Sequence, residues 1–139
     1  MNKNDFAVEY AEFAKKALEC AEKARREGLL ALEESIDQKK VENRDVFEYG
    51  IRFVVDGTDS EIIKMILTNI IEQEKNEYSR TLMKIKLCAV LQIQSGMNPQ
   101  MLLYMLNSYT DLSLADDPAI AAASEKPEPD TDGKYEAWV

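Results

Sequence analysis

The first quarter of the chain alternates apolar and polar residues with the period of an α-helix. Over residues 4–34, small and aromatic side chains recur every three or four positions, and the opposite face is charged. The apolar stripe consists of Phe6, Tyr10, Phe13, Ala17, Cys20, Ala24, Gly28 and Leu32. This spacing predicts one long helix, capped by Asn4 or Asp5. Because the stripe is rich in alanine and glycine, another helix can approach it closely.

A polar stretch, residues 35–44, is predicted to connect this helix to a second one at about residues 46–55. Asp45 is suited to cap the second helix. The run Phe53-Val54-Val55 is also typical of a β-strand. We favour the helix because no partner strand is evident elsewhere in the sequence.

A third helical pattern starts after Gly57, which suits a left-handed helix end. Thr58 and Glu61 have the spacing of a capping box. The apolar pattern continues to about Gln94 but thins between residues 72 and 80. It therefore predicts either one unbroken helix of roughly 30 residues or two helices with a turn near residues 76–81.

The last predicted helix begins at Asn98-Pro99, a cap followed by proline at the first helical position, and runs to about Tyr109. Residues 111–139 are acidic and contain proline without a sustained amphipathic pattern, which predicts a disordered tail. In that tail, Tyr135 and Trp138 are either incidental or a docking peptide.

The sequence thus predicts an all-α domain over residues 1–110. It is a small bundle of about four helices with a long first and a long third helix.

The net charge of the 139-residue chain is −9. This charge argues against nucleic acid and against an anionic membrane surface as partners, and it fits a basic patch on another protein. The most apolar window, residues 82–91, is interrupted by Lys84 and Lys86. A membrane span needs about 20 apolar residues, so we expect no membrane insertion.

The sequence offers little for catalysis or for metal binding. It contains no histidine, and its five glycines are scattered, so no phosphate loop is present. Residues 56–59, Asp-Gly-Thr-Asp, lack the later ligands of a calcium loop. Cys20 and Cys88 are expected to be reduced core residues of a cytoplasmic protein. We therefore expect no enzyme activity, no catalytic residue, no metal and no cofactor.

Two pairs of motifs carry a resemblance to a known family. The run Ala24-Arg-Arg-Glu-Gly-Leu-Leu-Ala-Leu-Glu-Glu34 and the later Val54-Val-Asp-Gly-Thr-Asp59 resemble the large cytoplasmic loop of flagellar motor stator A subunits, the MotA-like family. Residues 93–99, IQSGMNP, and 106–109, LNSY, are similar to that family's C-terminal cytoplasmic segment. Together the similarities cover roughly residues 18–110. The two membrane helices that separate these pieces in the family are missing here, between about residues 76 and 82.

The resemblance implies a cytoplasmic interaction module in flagellar motility that binds the rotor switch protein through charged side chains, with stator subunits as a second candidate partner. The family's important basic and acidic positions correspond to Arg25 and Glu33, with Arg26 and Glu34 as neighbours. If the first helix continues through Gly28, Arg25 and Glu33 share one face of it. Two positions that are often acidic in the family are Thr68 and Ile70 here.

The alternative function is a structural scaffold or adaptor, not tied to torque generation. The long third helix and the small-residue stripe of the first helix would then form a homo-oligomer. A long straight third helix would also allow two copies to exchange their C-terminal parts in a domain-swapped dimer.

Overall fold

The computed structural model describes residues 1–36 and 45–110. Within these ranges the chain forms five α-helices and one 3₁₀ segment. They are α1 (Lys3–Glu27), the 3₁₀ segment (Leu29–Ser35), α2 (Val46–Val55), α3 (Ser60–Glu72), α4 (Glu77–Ser95) and α5 (Pro99–Asn107). The predicted all-α class is confirmed, with more elements than the four or so expected. Residues 37–44 of the predicted connection and the predicted tail, 111–139, lie outside the described residues.

The helix α1 begins at Lys3, one residue earlier than predicted, and its cap is Asn2 and not Asn4 or Asp5. The Asn2 side chain accepts a hydrogen bond from the Asp5 N–H at 2.8 Å, and the Asp5 carboxylate accepts one from the Asn2 N–H at 3.4 Å. The small residues of α1 pack inward, as predicted. Ala14 and Ala17 are fully buried, and α1 packs against the 3₁₀ segment, α4 and α5.

The prediction that the first helix continues to residue 34 is wrong. The helix ends at Glu27, and Gly28 adopts φ 92° and ψ 162°. This conformation is strained for a residue with a side chain but accessible to glycine. It turns the chain back on itself, so that the following 3₁₀ segment packs against α1 and α2 and buries Leu32 completely.

The second helix is confirmed, and the strand alternative is wrong. Asp45 caps α2 by accepting hydrogen bonds from the N–H groups of Phe47 and Glu48 at 2.8 and 3.1 Å. The helix packs against α4 with Gly50 at the closest approach. A Cβ atom at Gly50 would lie no more than 3.0 Å from three side-chain carbons of Val90, so only glycine allows this spacing.

The third apolar pattern forms two helices, α3 and α4. The prediction of one unbroken long helix is therefore wrong, and the alternative prediction of a turn is confirmed. It lies at residues 73–76, slightly earlier than predicted. Two side chains stabilise it. The Asn76 side chain caps α4 by accepting from the Ser79 N–H at 2.9 Å. The Arg80 guanidinium donates to the carbonyl oxygens of Glu74 and Lys75 at 2.9 and 3.1 Å.

The start of α3 differs in detail from the predicted capping box. The cap is Asp59, not Thr58, because the Asp59 side chain accepts the hydrogen bond from the Glu61 N–H at 3.2 Å. Gly57 adopts the predicted left-handed conformation, with φ 80°. The predicted Asn98-Pro99 start of α5 is confirmed.

The helix α4 is the centre of the bundle, since it packs against α1, α2, α3 and α5. It runs parallel to α1. Near the start of both helices, the Phe6 and Tyr78 ring centroids are 5.7 Å apart. About two turns later in both helices, the Lys86 ammonium lies 5.7 Å from the Phe13 ring centroid. The helix α5 packs against α1, and at its end Asn107 Oδ1 accepts a hydrogen bond from the Tyr10 hydroxyl at 2.7 Å.

Candidate protein-binding site

The four charged residues predicted to bind a partner all lie where α1 turns into the 3₁₀ segment. We call residues 24–34 the corner. Arg25 and Arg26 occupy the last turn of α1, whereas Glu33 and Glu34 belong to the 3₁₀ segment, and all four are exposed. The predicted shared helical face of Arg25 and Glu33 is wrong, because the helix does not continue through Gly28. The structure instead places them on the two arms of a reversal of the chain.

The corner is held by buried and hydrogen-bonded groups at its base. Leu32 is completely buried, and the Gly28 N–H donates to the Ala24 carbonyl oxygen at 2.8 Å. Burial raises the pKa of the Cys20 thiol of α1, and Ser35 at the end of the 3₁₀ segment lies close enough to that thiol to offset part of the rise. The two arms are therefore antiparallel, and their backbone is fixed by packing rather than by the charges.

A salt bridge joins α1, one residue before the corner, to the 3₁₀ segment. The Lys23 ammonium lies 2.7 Å from a Glu34 carboxylate oxygen. The hydrogen bond to Glu34 raises the pKa of Lys23, and the same bond lowers the pKa of Glu34. Because Glu34 is well exposed, this pair orients the side chains more than it stabilises the fold.

Arg26 is also engaged within the chain. Its guanidinium lies 2.9 Å from a Glu22 carboxylate oxygen, one helical turn away, and 3.6 Å from the carboxylate of Glu27. Arg25 and Glu33, in contrast, form no ion pair with any residue in ranges 1–36 and 45–110. The corner thus presents one unpaired cation and one unpaired anion, each beside a neighbour of the same sign that is already paired.

Two residues that form ion pairs with the predicted site residues, Glu22 and Lys23, were not themselves predicted from the sequence. The signal for Glu22 was present, since Glu22 and Arg26 have the i, i+4 spacing of a helical ion pair. Lys23 and Glu34 are 11 residues apart, and on a continuous helix this separation would not bring them together. Their pairing follows only from the reversal at Gly28.

Two other connections of the bundle, α2–α3 and α4–α5, lie at the same end as the corner. The parallel course of α1 and α4 brings the end of α1 to the end of the bundle where α4 stops at Ser95. The α2–α3 turn is there too, because the Gln94 side-chain amide donates to the Thr58 carbonyl oxygen at 2.9 Å. Three of the four stretches that carry the family resemblance, residues 24–34, 54–59 and 93–99, therefore gather at one end of the molecule. The fourth, residues 106–109, lies near the start of α1, where Asn107 accepts the hydrogen bond from Tyr10.

The described residues present ionic and apolar contacts but few groups suited to covalent or metal chemistry. Burial raises the pKa of the Cys20 and Cys88 thiols, which keeps them protonated. Neither cysteine is in a disulfide. Across residues 1–36 and 45–110, no three acidic, cysteine or histidine side chains come together as a metal site would require. None of the helices there combines the length and hydrophobicity needed to cross a membrane.

Comparison with known proteins finds similarity to motility proteins over part of the chain. It is 39% identical to Motility protein A of Borreliella burgdorferi over 61 residues, which are 44% of this chain and 22% of that protein. It is 35% identical to Motility protein A of Treponema phagedenis over 86 residues, 62% of this chain and 32% of that protein. The chain therefore spans a fifth to a third of the length of these relatives. No family model and no solved structure matches it.

Proposed function

We propose that this chain is a helical interaction module of flagellar motility that binds the rotor switch protein through the corner. The observation that carries the proposal is the pair Arg25 and Glu33, which are exposed and unpaired while Arg26 and Glu34 are held by ion pairs within the chain. Sequence similarity to Motility protein A supports the link to motility. In this proposal the chain acts in the cytoplasm by binding and not by catalysis, and stator subunits are a further possible partner.

In the proposed mechanism, charged side chains on the ordered backbone of the corner recognise the partner electrostatically. An exposed Arg25 meets a carboxylate of the partner, and an exposed Glu33 meets a cation. Because both are already solvated and unpaired, binding breaks no internal salt bridge. Such contacts steer association and are weakened by salt. The neighbouring paired charges orient the surroundings of the two contact residues without competing for the partner.

Reversing either free charge is expected to weaken binding to the purified rotor switch protein about tenfold or more at low salt. Arg25→Glu and Glu33→Lys would be compared with Lys15→Glu and Glu72→Lys, two exposed charges outside the corner. Each control changes the net charge of the chain by the same amount as its test variant. Binding would be measured by calorimetry over a range of ionic strengths.

Two results would count against the proposal. Unchanged affinity in both Arg25→Glu and Glu33→Lys would remove the corner from the interface. An equal loss in the Lys15→Glu and Glu72→Lys controls would reduce the interaction to general charge attraction. Circular dichroism of each variant confirms that the fold is retained, as expected for substitutions at exposed positions.

A second candidate, a scaffold that forms homo-oligomers, is favoured by one observation on α3. This helix leaves Ile62, Met65 and Ile66 exposed at the spacing of a helix-pairing stripe, and a second copy would cover it. The small-residue stripe of α1 is not available for this purpose, because it is buried within the chain. In a domain-swapped form, the α3–α4 connection, which lacks glycine and proline, would be the hinge.

The scaffold candidate predicts a mass above that of the monomer in light scattering at roughly tens of micromolar, and a return to the monomer in Met65→Glu but not in Lys64→Glu. Both variants add a negative charge to α3, but only the first places it in the stripe. A monomeric parent chain at that concentration would contradict this candidate.

A further inference from the structure

We propose that Leu30 is the apolar anchor of the interface at the corner, inserted into a pocket of the partner. This inference rests on the proposed function, because it concerns the same surface. It adds a contact that is not electrostatic and that the charged motif alone does not indicate.

Leu30 is 70% exposed, a high value for a leucine in a packed domain. The other two leucines of the 3₁₀ segment behave differently. Leu32 is completely buried, and Leu29 is half-buried against the core. Burial of these two directs Leu30 outward, and its place in the chain lies between the free charges of Arg25 and Glu33.

The position of Leu30 is fixed before any partner arrives. The Ala31 N–H donates to the Gly28 carbonyl oxygen at 3.2 Å, and the burial of Leu32 and the packing of Leu29 hold the segment against the core. A side chain displayed on an ordered backbone loses little conformational entropy on binding. An exposed apolar group held in this way is better suited to an interface than the same group on a disordered loop.

The surroundings of Leu30 define the chemistry of the partner. Specific interfaces place an apolar centre inside a polar rim that excludes water. In the proposed interface, this rim is supplied by the exposed side chains of Arg25, Arg26, Glu33 and Glu34. The matching surface is an apolar pocket wide enough for one leucine side chain, with a carboxylate on the side that meets Arg25 and a cation on the side that meets Glu33.

The test is binding of the parent chain and of Leu30→Ala to the purified rotor switch protein at several salt concentrations. Leu30→Ala is expected to weaken binding about tenfold at every salt concentration and to leave the salt dependence unchanged. Leu30→Met, which keeps an apolar side chain of similar volume, is expected to restore most of the affinity. Val8→Ala, an exposed aliphatic truncation near the start of α1, is the matched control and is expected to bind like the parent.

The proposed role of Leu30 would be overturned if Leu30→Ala bound within about twofold of the parent chain while Arg25→Glu lost affinity. In that case the proposed function would still stand. The role of Leu30 would also be overturned by an equal loss in Val8→Ala. If the parent chain itself does not bind the rotor switch protein, the proposed function fails and the anchor fails with it. Thermal unfolding of Leu30→Ala distinguishes a binding role from a structural role. An exposed side chain contributes little to stability, so the variant is expected to unfold at nearly the same temperature as the parent chain.

Discussion

The variant Gly50→Ala is expected to be less stable than the parent chain by about 1–3 kcal/mol, although alanine is the better helix former. The reason is the contact between α2 and α4, where a new Cβ would overlap the side chain of Val90. Val90 is completely buried and β-branched, so it has little freedom to move aside. Urea unfolding followed by circular dichroism measures the change.

The second variant of this test is Val90→Ala, which removes the two methyl groups that a Cβ at residue 50 would overlap. Alone it leaves a cavity and costs roughly 1–3 kcal/mol. In the double variant the new Cβ occupies part of that cavity, so the two losses are expected not to add, with a coupling of about 0.5–3 kcal/mol. Additive losses would contradict a direct contact between Gly50 and Val90.

The variant Asp45→Ala is expected to cost about 1–2 kcal/mol at neutral pH, since it removes the cap of α2. It also leaves the half-buried Lys86 ammonium without its partner, which lies 3.2 Å from the Asp45 carboxylate. Asp45→Asn is the matched control because it keeps the oxygen that accepts the Phe47 and Glu48 N–H groups but removes the charge. It is expected to retain most of the cap contribution and to lose the ion pair.

Acid titration separates the two contributions of Asp45. Burial, the largest single influence, raises the pKa of Asp45, but the Lys86 ammonium and the two backbone N–H donors together lower it below the ordinary 3.8. A lowered pKa stabilises the fold above the unfolded value, and this stabilisation is lost as the pH falls through the folded value. The stability difference between the parent chain and Asp45→Asn should therefore shrink as the pH falls below about 4. Parallel acid profiles would contradict the ion pair.

Most of the fold could be predicted from sequence because helix periodicity and caps are local signals. Asp45, Asn98 and Pro99 act in the structure as their positions predicted. The number of helices was harder to predict. Residues 73–76 contain neither glycine nor proline, and the turn there depends on Arg80 reaching back to two carbonyl oxygens. A turn stabilised by a side chain outside it leaves little trace in the apolar pattern.

The corner illustrates the same limit at the candidate site. The residues Arg25, Arg26, Glu33 and Glu34 could be selected by resemblance, but their arrangement depends on Gly28. Glycine is tolerated within helices and also ends them, so the sequence allowed both a straight helix and a reversal. Burial of Leu32 against the rest of the bundle favours the reversal, and that contact between distant segments is not visible in a local pattern. Whether the chain continues as a helix or reverses at Gly28 decides which charges are paired and which are free.

Backbone amide chemical shifts can show whether the corner is the surface that binds the rotor switch protein. The ¹⁵N-labelled parent chain would be titrated with the unlabelled rotor switch protein. We expect the largest shift changes at amides of the corner, residues 24–34, smaller ones at the turn formed by residues 56–59, and none along the exposed face of α3 at Ile62 and Met65. Changes concentrated on α3 or α5, with the corner unaffected, would contradict it.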